Sequence, residues 1–220
     1  MKRFLEIGGV AAGVVLIAFG VAAIVMGVNG RNTVSSELSR QQIVGPPDFS
    51  PSLYRPVVAK SGAKGIIIPT CTVANQHITS GSQARCFAQY LQDDALMATG
   101  GYYFAQQGIY TAAPNAPKSQ LMPGGGTDNS KYALMANGQP VQNGARQIWT
   151  LETALGTALN ASYMADQTSL FGIVVGIALL LSGFGFLILA LGGALENEFW
   201  AFKRPAVKKA PEATPTPLSV

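Results

Sequence analysis

The stretch from Ala145 to Trp200 restricts the fold more than any other: 56 residues without a proline, half-polar at first (ARQIWTLETALGTALNASYMADQTS) and then wholly apolar (LFGIVVGIALLLSGFGFLILALGGAL). Pro140 and Pro205 bracket it, Asn143 and Gly144 offer a start, and no residue inside must break a helical hydrogen-bond ladder. In the polar half Ile148, Leu151, Leu155, Leu159 and Ser162 recur at helical spacing, while Arg146, Glu152, Asn160 and Asp166 keep largely to the other sides. The spacing predicts one continuous helix that leaves a soluble domain and enters a bilayer, with that apolar stripe packed on the domain.

A second apolar run lies near the other end. Ile7–Val28 gives 22 residues without a charge and Leu170–Leu195 gives 26, where about 20 suffice to cross a hydrocarbon core. Lys2 and Arg3 precede the first run as they would a signal peptide, but the run is longer than a cleavable core and no clear A-x-A site follows. It reads as an uncleaved anchor, with removal as the alternative. Lys2, Arg3, Lys203, Arg204, Lys208 and Lys209 flank the runs on their far sides, against Arg31, Arg40 and the distant Arg146 on the near side. Positive charge favours the cytoplasm, so both termini are expected there. The expected organisation in the cell membrane is a cytoplasmic N-terminus at 1–6, a first span at 7–28, an extracytoplasmic domain at 29–168, a second span at 169–195 and a cytoplasmic tail at 196–220, disordered at its end. The fold class is mainly α: two transmembrane helices flanking a helical and irregular extracytoplasmic domain.

The net charge of +4 does not mark a nucleic-acid protein, because the central 29–168 carries nine Lys/Arg against seven Asp/Glu. Within the apolar runs, Gly9, Gly13, Gly20 and Gly27 share one helical face, and Gly172, Gly176, Gly183 and Ala190 repeat the pattern. Small residues let helices approach closely in lipid, which predicts packing of these faces, with a partner from the same chain or from another. Phe199, Trp200 and Phe202 beside Lys203 and Arg204 form an aromatic and basic anchor at the membrane surface.

Between the runs the first helix can continue to Gly45, Pro46 and Pro47, and the proline-punctuated 48–70 reads as irregular, with short edge strands at most. Cys71 and Cys86, the two cysteines of the chain, are read as a disulfide of an oxidising compartment, with zinc held by the pair and His77 as the sharper alternative. Ser82 is the expected cap of a helix whose Ala84, Phe87, Leu91, Ala95 and Ala98 form a stripe, ended by Gly100 and Gly101. This helix is the expected partner of the polar half of 145–200. Tyr102, Tyr103, Phe104 and Tyr110 either fill the seam between the two or form a candidate contact surface. Residues 111–143 read as loop, and the triple glycine at 124–126 lacks the Gly-Lys-Ser/Thr of a phosphate loop.

The chemistry available is narrow. One histidine cannot supply a two-histidine iron site or a three-histidine zinc site. Asp93 and Asp94, adjacent in sequence, stand about 100° apart on a helix and do not converge as a catalytic pair, so with Glu152 and Asp166 they read as solvated or capping charges. No nucleophile motif is present and neither apolar run contains an internal ionisable residue. The expectation is a non-enzymatic chain with no catalytic residue, cofactor or metal.

The runs LMATGGYYFAQQGIY and GQPVQNGARQIWTLETALGTALNASYMADQTSLFGIVVGIALLLSGFGFLILALGG resemble a family of uncharacterised actinobacterial two-span membrane proteins, whose members often carry an automatic label of aromatic ring-opening dioxygenase. That label does not fit a chain whose single histidine is His77, since the iron-dependent form of the chemistry needs two histidine ligands. The resemblance implies a two-span envelope protein without an established activity and supplies no functional residues. Taken together the residues suggest an accessory or scaffolding subunit of a larger membrane complex such as an oxidase, monooxygenase or transporter, in contact with membrane lipid, with other integral membrane subunits and possible further copies of itself. The alternative is an envelope module that binds a lipid or cell-wall component through its aromatic cluster.

Overall fold

The computed structural model describes residues 2–191, and the aromatic anchor at 199–204 and the tail expected to be disordered lie outside them. The chain is mainly helical, in the order α1 (Lys2–Arg40), α2 (Pro51–Ser61), α3 (Gly81–Ala98) and α4 (Gly144–Leu191), with short 3₁₀ turns and one two-residue hairpin between α3 and α4. Two helices, Glu6–Arg40 and Gly144–Leu191, contain segments long and apolar enough to cross a membrane. Core helices of soluble proteins pass the same test of composition, but these segments are only 11% and 17% buried by the rest of the chain. Phe19, Leu181 and Ile188 are each about two-thirds exposed, an apolar surface that water does not tolerate and lipid does.

Two compact units make up the chain. The smaller combines the start of α1, up to Phe19, with α4 from Ala178 onward. In it Gly13 and Gly183 face each other: a Cβ on Gly13 would stand 2.9 Å from the Gly183 carbonyl, and one on Gly183 would stand 2.8 Å from that of Gly13. Gly9 is half-buried here and Ala190 buried. The larger unit, Gly20–Ile177, holds the remaining α1–α4 pair and everything between. Here Gly176 abuts the Gly20 carbonyl and Ile24, Gly27 abuts the Ser169 carbonyl and Ile173, and Gly172 sits opposite Ala23 with ordinary clearance. Gly185, by contrast, faces open space.

The core of the larger unit is aromatic. Phe49 stacks on Tyr90 at 4.6 Å between centroids and meets Tyr54 edge-on at 5.9 Å, while Tyr54 meets Tyr90 edge-on at 4.8 Å. Leu38 of α1 and Leu159 of α4 close this cluster from two sides, so both long helices contribute to the core. Residues 43–49 and 71–78 run antiparallel, joined by Ile78 N–H to Ile43 O (2.9 Å) and Val73 N–H to Phe49 O (3.0 Å). Gly45 passes so close to the Val73 carbonyl that any side chain would collide with it.

Residues 51–61 are a helix rather than an irregular run. Pro51 occupies the first turn, where its missing N–H is no loss, and Pro56 gives up one hydrogen bond that the buried Tyr54 and packed Val58 offset. Gly62, at φ 68°, ends it. No strand forms at 65–68, where Ile66 and Ile68 pack inward and Ile67 is 85% exposed. The cap of α3 is Ser80, whose Oγ accepts from Gln83 N–H, so the helix begins two residues earlier than Ser82 predicts. The loop-like 111–143 contains the hairpin 135–136/139–140, turned by Asn137 and Gly138 with both φ values positive. Cys71 and Cys86 are bonded to each other, which removes both sulfurs from any zinc site, and His77 pairs its backbone with Val44 instead.

Candidate interaction surfaces

α4 meets α3 through a stripe other than the one that Ile148, Leu151 and Leu155 suggest. Trp149, Gly156, Leu159 and Asp166 are the buried positions of its polar half, whereas Ile148, Leu151 and Leu155 are 38%, 66% and 52% exposed. Trp149 wins the inward position because its indole has both an apolar bed, Ala95 and Leu96 of α3, and hydrogen-bond acceptors, Tyr102 O at 2.9 Å and Thr99 Oγ at 3.2 Å. The signal was in the sequence: Trp149, Glu152, Gly156 and Leu159 also recur at helical spacing, one residue around from the purely aliphatic set.

The charges of this half turn with the buried stripe. Arg146 lies over the Phe104 ring at 4.2 Å and donates to Gln107 O at 2.8 Å. Glu152 is half-buried, which raises its pKa against the opposing hydrogen bond from Thr153. Asp166 is buried and accepts from Arg31 Nε at 3.0 Å, against the start of α3, where Gly81 leaves no room for a side chain. The exposed residues of α4 between 147 and 169 therefore carry no charge at all; apolar positions such as Leu151, Leu155 and Met164 alternate with uncharged polar ones such as Thr150, Thr153, Thr157, Asn160 and Gln167. Water-facing helix surfaces are ordinarily rich in charge, and this one has none among its exposed positions.

The aromatic residues after α3 divide. Tyr103 stacks obliquely on Trp149 at 5.5 Å, Phe104 lies under Arg146, and Tyr110 is held by backbone bridges to Thr127 and Gln142. They anchor the loop to the start of α4, yet Tyr102, Tyr103 and Phe104 stay 38–48% exposed. Tyr103 and Phe104 thus pack on the start of α4 with their outer edges open.

A third arrangement runs contrary to expectation. Asp93 is only 7% exposed and Asp94 is half-buried, so neither is a solvated charge. Asp94 accepts from the Tyr54 hydroxyl at 2.7 Å, and Tyr90 donates to Cys71 O at 2.9 Å. Burial and this hydrogen bond to Asp94 raise Tyr54 well above the usual phenol range, and burial with the nearby Asp93 raises Tyr90. Burial also pushes the Asp93 carboxyl up to about 6, with the charge of Asp94 adding to the shift. Asp94 itself is raised by burial, opposed by the Tyr54 hydrogen bond and assisted by Asp48. Both acids lie off the stripe of Ala84, Phe87, Leu91, Ala95 and Ala98, on the side of α3 that carries Cys86 and Tyr90, so that stripe did not signal their burial.

No family model matches the chain, and neither a curated protein nor a solved structure matches it.

Proposed function

We propose that this chain is a non-catalytic integral membrane protein, with both termini cytoplasmic and the central domain outside, and that it serves as an accessory or scaffolding subunit of a larger membrane complex. The observation that carries this reading is the charge-free outward face of α4 between 147 and 169. That face belongs to the same helix as the second apolar run, so a partner lying along it is itself membrane-embedded. The excess of Lys and Arg at the two ends of the sequence supports the orientation, and the family resemblance implies the same two-span plan.

The test is a photo-crosslinking amino acid at Leu155 in native membranes. A discrete adduct to one integral membrane protein, absent when the probe replaces the loop residue Lys118, supports the subunit reading. Adducts to lipid alone, or to a second copy of this chain, refute it. In intact cells a cysteine at position 120 should react with a membrane-impermeant alkylating reagent and one at 215 should not. The alternative, a module that binds a lipid or wall component, is favoured by the open edges of Tyr102, Tyr103 and Phe104. Purification in mild detergent as a lone chain with bound envelope material would bring it forward.

A further inference from the structure

The larger unit contains a cleft of about 410 Å³ between the extended segment 65–70 and α3. Ile68 and Leu96 form apolar walls, Thr70, Gln89 and Gln92 line the rim, and Asp93 lies at the base. The carboxylate is nine-tenths buried and its Oδ2 has no hydrogen-bond partner. Among the described residues no lysine or arginine pairs with it. The groups facing it are of the opposite kind: Asp94 beside it on α3, Asp48 acting in turn on Asp94, and the Tyr54 and Tyr90 hydroxyls, both held neutral. Main-chain hydrogen bonds do not engage residues 65–70 among the described residues, and Gly65, Ile67, Pro69 and Thr70 of that segment line the cleft beside Ile68.

Such a site has acceptors, negative charge and an apolar channel, and it lacks a cation. We propose that this cleft binds a primary alkylammonium group, as carried by a lysine side chain or a diamine, with Asp93 as counter-ion and Ile68 and Leu96 around the alkyl stem. The ammonium gives the buried carboxylate the partner that the fold withholds. Because Asp93 titrates near 6 while an alkylammonium stays charged to about pH 10, binding weakens in acid through the protein alone. The proposal does not depend on docking along α4.

The test uses the full chain in phosphatidylcholine nanodiscs, titrated calorimetrically with 1,5-diaminopentane, with Nα-acetyl-lysine methylamide and with 1-pentanol. Both amines should bind saturably at pH 7.5 and about tenfold more weakly at pH 5, where roughly a tenth of the carboxyl remains ionised. Tighter binding of the lysine derivative would assign the site to a peptide, and tighter binding of the diamine to a free polyamine. Asp93→Asn should abolish binding with unchanged far-UV circular dichroism, and Gln92→Trp, which blocks the rim and leaves the acid in place, should abolish it as well. Absence of saturable binding, equal binding of pentanol, survival of binding in either variant, or affinity independent of pH would each overturn the proposal.

Discussion

Asp93 carries a charge whose cost depends on pH. Its folded-state pKa of about 6 lies above the ordinary value of 3.8, so the folded chain holds a proton that the unfolded chain has already lost. The stability associated with that proton is fully present below about pH 3.8 and is lost as pH rises through about 6. Asp93→Asn should therefore stabilise the larger unit at pH 7.5 by roughly 1–3 kcal/mol and by about half as much at pH 5. Chemical denaturation followed by Trp149 fluorescence at the two pH values checks this, and equal effects at both would contradict it. Composition and spacing did not reveal this residue, because burial of an acid is decided by the elements that cover it. Here they are α2, which brings Tyr54, and the aromatic stack of Phe49 and Tyr90. Trp149 teaches a related lesson: hydropathy ranks it no higher than Ile148, but two hydrogen-bond acceptors at the end of α3 select it for the interior.

Among the elements, the two long helices were the most legible, since an uncharged apolar run has few alternatives to a helix and glycine spacing marks a close face. The consequence is testable. Gly176→Leu would drive a side chain into the Gly20 carbonyl and Ile24, and should cost about 1–3 kcal/mol, whereas Gly185→Leu, which meets open space, should be neutral. Denaturation in micelles distinguishes the two, and equal tolerance would mean that the pairing contributes little. The short elements were less legible. α2 was hidden by Pro56, whose penalty is outweighed by tertiary packing of Tyr54, and the hairpin at 135–140 was announced by Asn137-Gly138 but lacks the flanking apolar alternation that usually confirms such a turn. On the outward face of α4, Leu151→Lys with Ala158→Lys should leave thermal stability unchanged within about 0.5 kcal/mol and remove the adduct of a probe at Leu155. A large loss of stability would show that this face packs within the fold.

At the scale of the whole molecule, the disulfide joins positions 15 apart and fixes the end of the segment 62–70, which has no main-chain hydrogen bonds of its own beyond its first residues. Replacing both cysteines by serine should cost about 3 kcal/mol and admit protease first within 62–70, while α3 and α4 persist. Cleavage elsewhere first would show that the bridge supports the core generally. The two long apolar helices and the disulfide could be read from the sequence because each depends on a local pattern, whereas the aromatic core could not, because it joins residues from six separate segments between Leu38 and Leu159. One property of that core bears on how the chain is made. Its walls come from opposite ends of the unit: Leu38 is synthesised before anything it packs against, and Leu159 comes more than a hundred residues later. A ribosome that has reached residue 143 has delivered α2, α3 and every loop, yet the groove that should receive α4 is still open and lined with Ala84, Ala95 and Leu96. During those seconds of translation the emerging chain is a substrate for chaperones and proteases, and arrival of the last helix and burial of the core become a single late event.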